Sequence, residues 1–306
     1  MEKFKNKTTP GGNPKGKSTV VIGNATGPED SGEPKTPCKN KLEHIKNPKI
    51  KPKVTYFFGT LNVNSMLKVG KLKQLNQMLR EENILILAIQ ETRFIDINTT
   101  DSENYRYFKG KPGKRIMRNT PHLGTAFCVH RTIVNSITKF QSPSGRLSLL
   151  TFKCANKSYT LINCHAPINE DNRKNPTKVE QFWEQLEDEI SKIPRENVKI
   201  LVGDFNAQIG KEKSVRNIVG KYPAHKRTNQ NGLRLIELCK AFNLKLMSTN
   251  FKKLPRKQKT WRSPNPELGE FQIDHVAISK QNQKEILNVK IKKEQNFRKS
   301  LPDSDK

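Results

Sequence analysis

The chain has 306 residues, enough for one large α/β domain or two smaller ones. Fifty-seven Lys and Arg stand against 29 Asp and Glu, a formal net charge of +28, and the mean hydropathy is −0.78. No apolar run approaches the ~18 residues that span a bilayer, and the opening MEKFKNKTTPGGNPKGKS lacks the apolar core of a secretory signal. The five cysteines contain no C-x-x-C pair, which argues for reduced thiols and against a structural zinc site. Lysines run along the whole chain. A field of this sign attracts polyanions, so nucleic acid is the expected partner. Solubility alone does not need so much charge of one sign.

In chain order, residues 1–52 are rich in Lys, Pro, Gly, Asn and Thr and read as a disordered basic arm. Its one apolar patch, TVVIG (19–23), is too short to form a core. The globular domain, 53–306, opens with VTYFFGTLNVNS (54–65), whose β-branched and aromatic run is a strand. GKLKQLNQMLREEN (70–83) spaces Leu72, Leu75, Met78 and Leu79 as a helix does. ILILAIQE (84–91) is a strand covered on both faces. HLGTAFCVH (122–130), RLSLLTFKC (146–154) and SYTLINCHAP (158–167) give three more strands. TKVEQFWEQLEDEISKI (177–193) is an amphipathic helix with Val179, Phe182, Trp183, Leu186 and Ile190 on one face. VKILVGD (198–204) is a strand, and NQNGLRLIELCKAFN (229–243) a helix opened by Asn and Gly. LKLMST (244–249), KTW (259–261), FQIDHVAIS (271–279) and EILNVKIKK (285–293) complete the strands. Strands outnumber helices and several follow one another directly, which argues for a mixed two-sheet α/β domain over a simple doubly wound sheet.

Several strands end in polar groups. Asn62 follows the first, Glu91 the second and His165 the strand at 158–164. Asp204 and Asn206 close the strand at 198–203, and Asp274 lies in the strand near 273. Gly, Asp and Asn are ordinary turn formers, and each residue alone has a plain structural reading. Their recurrence is the signal. Ligands of open α/β folds bind at the carboxyl ends of strands, so these segments would deliver Asn, Glu, His and Asp into one cleft. Mg²⁺ takes oxygen ligands, often one or two carboxylates completed by water and substrate phosphate. Glu91 and Asn62 suit that role. Asp204 can orient and deprotonate a water, and Asn206 can donate to a phosphate oxygen. No G-x-S-x-G elbow or Ser/Cys–His–acid arrangement points to acyl transfer.

The ordered set TLNVNS, AIQETR, NCHAP, VGDFNAQIG, KTWRSP and QIDHVAIS resembles the endonuclease/exonuclease/phosphatase superfamily over roughly residues 54–306. It is most similar to the apurinic-type endonuclease domains of non-LTR retrotransposons and their craniofacial development protein 2-like relatives. The resemblance implies a four-layer sandwich, with two mixed β-sheets packed face to face and helices on the outer faces. It implies Mg²⁺-dependent hydrolysis of DNA phosphodiester bonds. Asn62 and Glu91 match the metal-site pair. Asp204 matches the water-orienting Asp, and Asn206 the phosphate-contacting Asn. His165 falls where related repair enzymes carry a Tyr that touches the scissile phosphate. Asp274 matches the partner of a histidine in a later Ser-Asp-His motif. Thr260 and Trp261 match a motif on the DNA-facing rim, and Arg146 is a further candidate for substrate contact. In this chain the last motif reads Ser304-Asp305-Lys306. Asp305 takes the metal-site carboxylate position and Lys306 replaces the catalytic histidine, so the domain is expected to be truncated there and impaired. Two other readings stay open: an inactive nucleic-acid-binding retroelement remnant, and a phosphatase of a small phosphorylated ligand. The expected location is nuclear, otherwise cytoplasmic, and not secreted.

Overall fold

The computed structural model describes residues 55–113, 123–212 and 215–292, together with the short strand segments 18–24, 115–116 and 120–121. The strands in chain order are β1 (Ser18–Asn24), β2 (Thr55–Asn62), β3 (Ile84–Gln90), β4 (Thr100–Ser102), β5 (Tyr105–Lys109), β6 (Arg115–Ile116), β7 (Thr120–Pro121) and β8 (Thr125–His130). They continue with β9 (Ile137–Ser144), β10 (Leu147–Cys154), β11 (Lys157–His165), β12 (Val198–Asp204), β13 (Leu244–Leu246), β14 (Trp261–Arg262), β15 (Glu270–Phe271), β16 (Asp274–Ser279) and β17 (Ile286–Lys292). The helices are α1 (Lys71–Glu81), α2 (Asp171–Lys174), α3 (Pro176–Ser191) and α4 (Gln230–Ala241).

One sheet has the order β17-β1-β2-β3-β8-β5-β4 and the other β13-β16-β12-β11-β10-β9. Each is mixed: β2 and β3 run parallel in the first, β11 and β12 in the second, and the other pairings are antiparallel. Alternation along the strands separates the faces. Ile86 and Ala88 of β3 meet Leu161 of β11, then Val198, Ile200 and Val202 of β12, and Val276 of β16, in a core between the sheets. The opposite faces carry the helices. Leu75 and Leu79 of α1 pack on Leu87 and Ile89 of β3. Val179, Phe182 and Leu186 of α3 and Leu235 and Leu238 of α4 pack on Ile162 of β11 and Leu201 of β12. The layers are therefore α1, sheet, sheet, and α3 with α4, which is the expected four-layer sandwich. A fully buried Leu such as Leu75 contributes about 2 kcal/mol through removal of its apolar surface from water.

The expectation for 1–52 needs correction at one place. Residues 18–24, assigned to a disordered arm, form β1, which pairs antiparallel with β17 on one side and β2 on the other. Its β-branched Thr-Val-Val-Ile run is too short to make a core alone, but two flanking strands supply the hydrogen-bond partners. The rest of that stretch, 1–17 and 25–52, lies outside the described residues, as do Ser304, Asp305 and Lys306.

Candidate active site at one edge of the sandwich

The topology gathers the polar strand ends. The parallel pair β2 and β3 ends on the rung Asn62–Gln90, with Glu91 next in the chain. The parallel pair β11 and β12 ends on the rung His165–Asp204. Asp274 lies directly opposite Asp204 in the antiparallel pairing of β12 with β16. It opens its strand, whereas Asn62, His165 and Asp204 close theirs. Antiparallel pairing brings the amino end of β16 to the edge where β11 and β12 end.

One amide joins the two sheets. Asn62 Nδ2 donates to Glu91 Oε1 at 2.8 Å and to Asp204 Oδ2 at 3.1 Å. Asn62 Oδ1 accepts from the backbone N–H of Asn64 at 3.0 Å. His165 Nε2 stands 3.6 Å from Glu91 Oε1, and the Arg93 guanidinium 3.7 Å from Glu91 Oε2. Arg93 also donates to Asn64 Oδ1 at 2.9 Å. The Asn206 N–H donates to Asp204 Oδ1 at 3.0 Å, and its side-chain amide to the Ala166 carbonyl at 3.0 Å. Arg146 donates to the His165 carbonyl at 2.9 Å and feels the charges of Asp171, Glu91 and Asp204.

The backbone at these turns is held in an uncommon conformation. Glu91 has φ 54° and Asn206 φ 48°, in the left-handed region. Asn tolerates it; for Glu it costs on the order of 1–3 kcal/mol. Bonds from Ser65 N–H to the Glu91 carbonyl (2.8 Å) and from Arg93 N–H to the Leu123 carbonyl (2.9 Å) lock the turn. Gly203, just before Asp204, has φ 141°, and a Cβ there would collide with the Cys164 carbonyl. The glycine of GDFN is therefore required by backbone approach as well as by φ.

Burial sets the electrostatics. It pushes the Asp204 carboxyl up to about 6, against the opposing N–H bonds from Asn206 and Asn62 and with help from nearby Glu91. Burial, then the facing Asp204, holds Asp274 well above the usual carboxylate range. Burial pulls His165 down to about 4, so its imidazole is neutral at physiological pH. Burial also pushes Glu91 up, but His165, Asn62 and Arg93 outweigh it and the net shift is downward.

Among the described residues there is no group of three or more His, Cys, Asp or Glu arranged to hold a metal ion. The oxygen donors that are present fit Mg²⁺, which needs only one or two carboxylates and keeps several waters. Glu91 and Asp204 converge on the same Asn62 amide, and Glu91 is a quarter exposed. A cation there would meet a carboxylate-rich edge in which burial disfavours negative charge.

Asn62, Glu91, His165, Asp204, Asn206, Asp274 and Arg146 are thus brought together. Thr260 is not on the rim. It is buried, with Oγ1 accepting from the N–H groups of Ile273 (3.0 Å) and Asp274 (3.2 Å), so it positions Asp274 and offers nothing to a substrate. Trp261 of β14 is partly exposed and packs on Phe271 of β15, ring centroids 5.8 Å apart. Two features escaped the sequence reading. Gln90 and Asn163 bridge the sheets beneath the site at 2.6 Å. Asn231 Nδ2 donates to the Pro167 carbonyl at 2.8 Å, and Asn229 Nδ2 to the Asn206 carbonyl at 3.1 Å, which pins the loop after β12. The only sequence signal was polar side chains within or beside apolar runs. His275, adjacent to Asp274, points the other way and binds Ser248 and the Ala207 carbonyl, both at 2.8 Å.

Fold and edge together define a two-sheet α/β sandwich with acidic and amide side chains gathered at one edge. The chain belongs to the Endonuclease/Exonuclease/phosphatase family, whose sequence model matches residues 59–279. It is 28% identical over 239 residues to craniofacial development protein 2 of Bos taurus, covering 78% of this chain and 38% of that protein. The protein of the same name from Tragulus javanicus gives 28% over 239 residues, with 78% and 39% covered. The chain therefore spans well under half the length of these curated relatives. Among solved structures, an AP endonuclease from Archaeoglobus fulgidus has the same fold, with TM-score 0.51 and 16% identity over 74% of this chain and 87% of that one. The endonuclease domain of TRAS1, a telomere-specific non-LTR retrotransposon, gives TM-score 0.48 and 13% identity over 76% and 95%.

Proposed function

We propose that the chain is a Mg²⁺-dependent DNA endonuclease of retrotransposon descent. The observation that carries this reading is the Asn62 amide, which ties Glu91 from one sheet to Asp204 from the other. Glu91 would hold the ion, with Asp305 as a further carboxylate; the Asn62 oxygen would join them on leaving the Asn64 N–H, since the Asn62 NH2 is what faces Glu91 and Asp204 here. When bound, Mg²⁺ supplies Lewis-acid stabilisation of charge on phosphate oxygens. Asp204, raised to about 6, is ionised at neutral pH yet basic enough to take a proton from an attacking water. The Asn206 and Asn62 N–H groups hold that carboxylate in place. The Asn206 side-chain amide would be a neutral donor for a phosphate oxygen, once it exchanges the Ala166 carbonyl for substrate. Arg146 and Arg93 bring positive charge that neutral His165 does not.

Duplex DNA is the proposed partner, supported by the net charge of +28. The nucleus is the proposed location, tested by imaging a tagged full chain. Lys306 is proposed to impair the reaction: an ammonium with pKa near ~10.4 cannot exchange protons at neutral pH as imidazole near ~6.5 does. The test is nicking of supercoiled plasmid with and without Mg²⁺, with Asp204→Ala as control. Nicking that needs both Mg²⁺ and Asp204 supports the reading. Absence of nicking from both the natural chain and Lys306→His refutes it.

A further inference from the structure

A concave feature lies apart from the candidate site residues. A cavity of about 520 Å³ is walled by the loop that follows Asn206 and by β13. Lys211, Arg216, Lys221 and Lys245 line it, with Asn250 and a single acid, Glu212. Glu212 is already occupied: its oxygens accept from the Thr228 N–H and hydroxyl, both at 2.7 Å. Lys245 is occupied too, its ammonium directed at the carbonyls of Arg216 (3.2 Å), Asn217 (3.2 Å) and Val219 (3.4 Å). It therefore contributes charge and fixes the wall, with its three N–H donors spent. Lys211, Arg216 and Lys221 are exposed and make no ion pair among the described residues. The wall is rigid. Gly210 N–H donates to Thr228 Oγ1 at 2.9 Å, Gly220 N–H to Thr249 Oγ1 at 2.8 Å, and Val219 bridges to Leu246.

Three uncommitted cations around one satisfied acid make a site for an anion, and its size suits a phosphate with its sugar. Arg216 offers a planar fork that matches phosphate geometry. Gly210 follows Asn206 closely in the chain, so the segment joining them spans at most ~14 Å. Gly210, at one lip of the cavity, is thus within a few nucleotides of Asn206, given a rise of about 3.4 Å per nucleotide in one strand.

We propose that this cavity seats a backbone phosphate of the same nucleic-acid strand that enters the candidate site. The proposal rests on the nuclease reading for its strand, and its test is a binding measurement made without metal. Binding of the full chain to a fluorescent duplex of about 30 base pairs, a length of about 100 Å at 3.4 Å per base pair, is followed by anisotropy across a salt series. A triple variant, Lys211→Gln with Arg216→Gln and Lys221→Gln, is compared with a charge-matched control, Lys139→Gln with Lys153→Gln and Lys284→Gln. Lys245 is kept because its ammonium supports the wall. The pocket variant is expected to flatten the log–log salt slope by about 0.9 for each phosphate no longer held, and to weaken low-salt binding about tenfold, while the control changes neither as much. Equal changes in the two triples overturn the proposal. Dependence on these residues for free thymidine diphosphate, without any for the duplex, overturns the strand as occupant. A pocket effect on binding, with no nicking by either the natural chain or Lys306→His, leaves the site standing and removes the nuclease reading.

Discussion

Asp204 and Asp274 face each other across the β12–β16 pairing, each buried and each with its carboxyl pushed upward in pKa. Two facing acids strain the fold when both ionise. The folded chain binds protons more tightly than the unfolded one, so this pair stabilises at low pH. That stability is present below about 4, the unfolded value, and is lost as pH rises through about 6 for Asp204 and higher for Asp274. Asp274→Asn is therefore expected to raise the melting temperature in EDTA, and to do so more at about pH 8 than at about pH 5, either side of the Asp204 value. Calorimetry across pH checks it. A difference from wild type that does not change with pH would show that the pair is not electrostatically strained.

Glu91 and Asp204 share the Asn62 amide but are expected to fail differently when altered. Glu91→Gln keeps the shape and weakens ion binding, so excess Mg²⁺ should restore part of the nicking. Asp204→Asn removes the base, so turnover should fall by about 10²–10⁴-fold with little change in DNA affinity. Nicking and anisotropy at several Mg²⁺ concentrations separate the two. Equal rescue of both variants would mean that the roles are misassigned.

Thr260 should act through Asp274. Thr260→Val removes the acceptor of the Ile273 and Asp274 N–H groups and leaves two buried donors unpaired. At about 1–3 kcal/mol for each donor, a loss of roughly 2–6 kcal/mol is expected in denaturant unfolding, and Thr260→Ser should restore it. If Thr260→Val melts as wild type does, the hydroxyl is not holding β16.

The strands with continuous apolar runs, ILILAIQ and VKILVGD, were legible because no other element of that length buries both faces. β9 was not, since ITKFQSPS alternates polar groups and carries Pro143, as an edge strand can. β1 was missed because its partners lie in β2 and β17, and β17 comes from the far end of the chain. At the site, Asn62, Glu91 and Asp204 were legible from their positions at strand ends. The burial of Thr260 was not, because its partners come from a later segment and no local pattern encodes them.

Gln90 and Asn163 provide the last test, since nothing near either residue in sequence announces the other. Gln90 Nε2 donates to Asn163 Oδ1 at 2.6 Å and to Thr60 Oγ1 at 2.9 Å. Asn163 Nδ2 donates to the Ile89 and Ala126 carbonyls, both at 3.0 Å. Gln90 immediately precedes Glu91, Asn163 sits just before His165 on β11, and both side chains are fully buried. Asn163→Leu would take one acceptor from the Gln90 amide, which keeps Thr60, and one donor from each of two carbonyls in an apolar interior. At about 1–3 kcal/mol for each of the three groups left short of a partner, a total loss of roughly 3–9 kcal/mol is expected in urea unfolding. The pair also fixes the spacing of the sheets that Asn62 spans, so partial replacement should impair the site before it unfolds the chain. Asn163→Asp, which keeps an acceptor for Gln90 but puts a carboxylate against two carbonyls, should be at least as destabilising as Asn163→Leu near neutral pH. If both variants unfold at the wild-type urea midpoint, the bridge does not hold the sheets together.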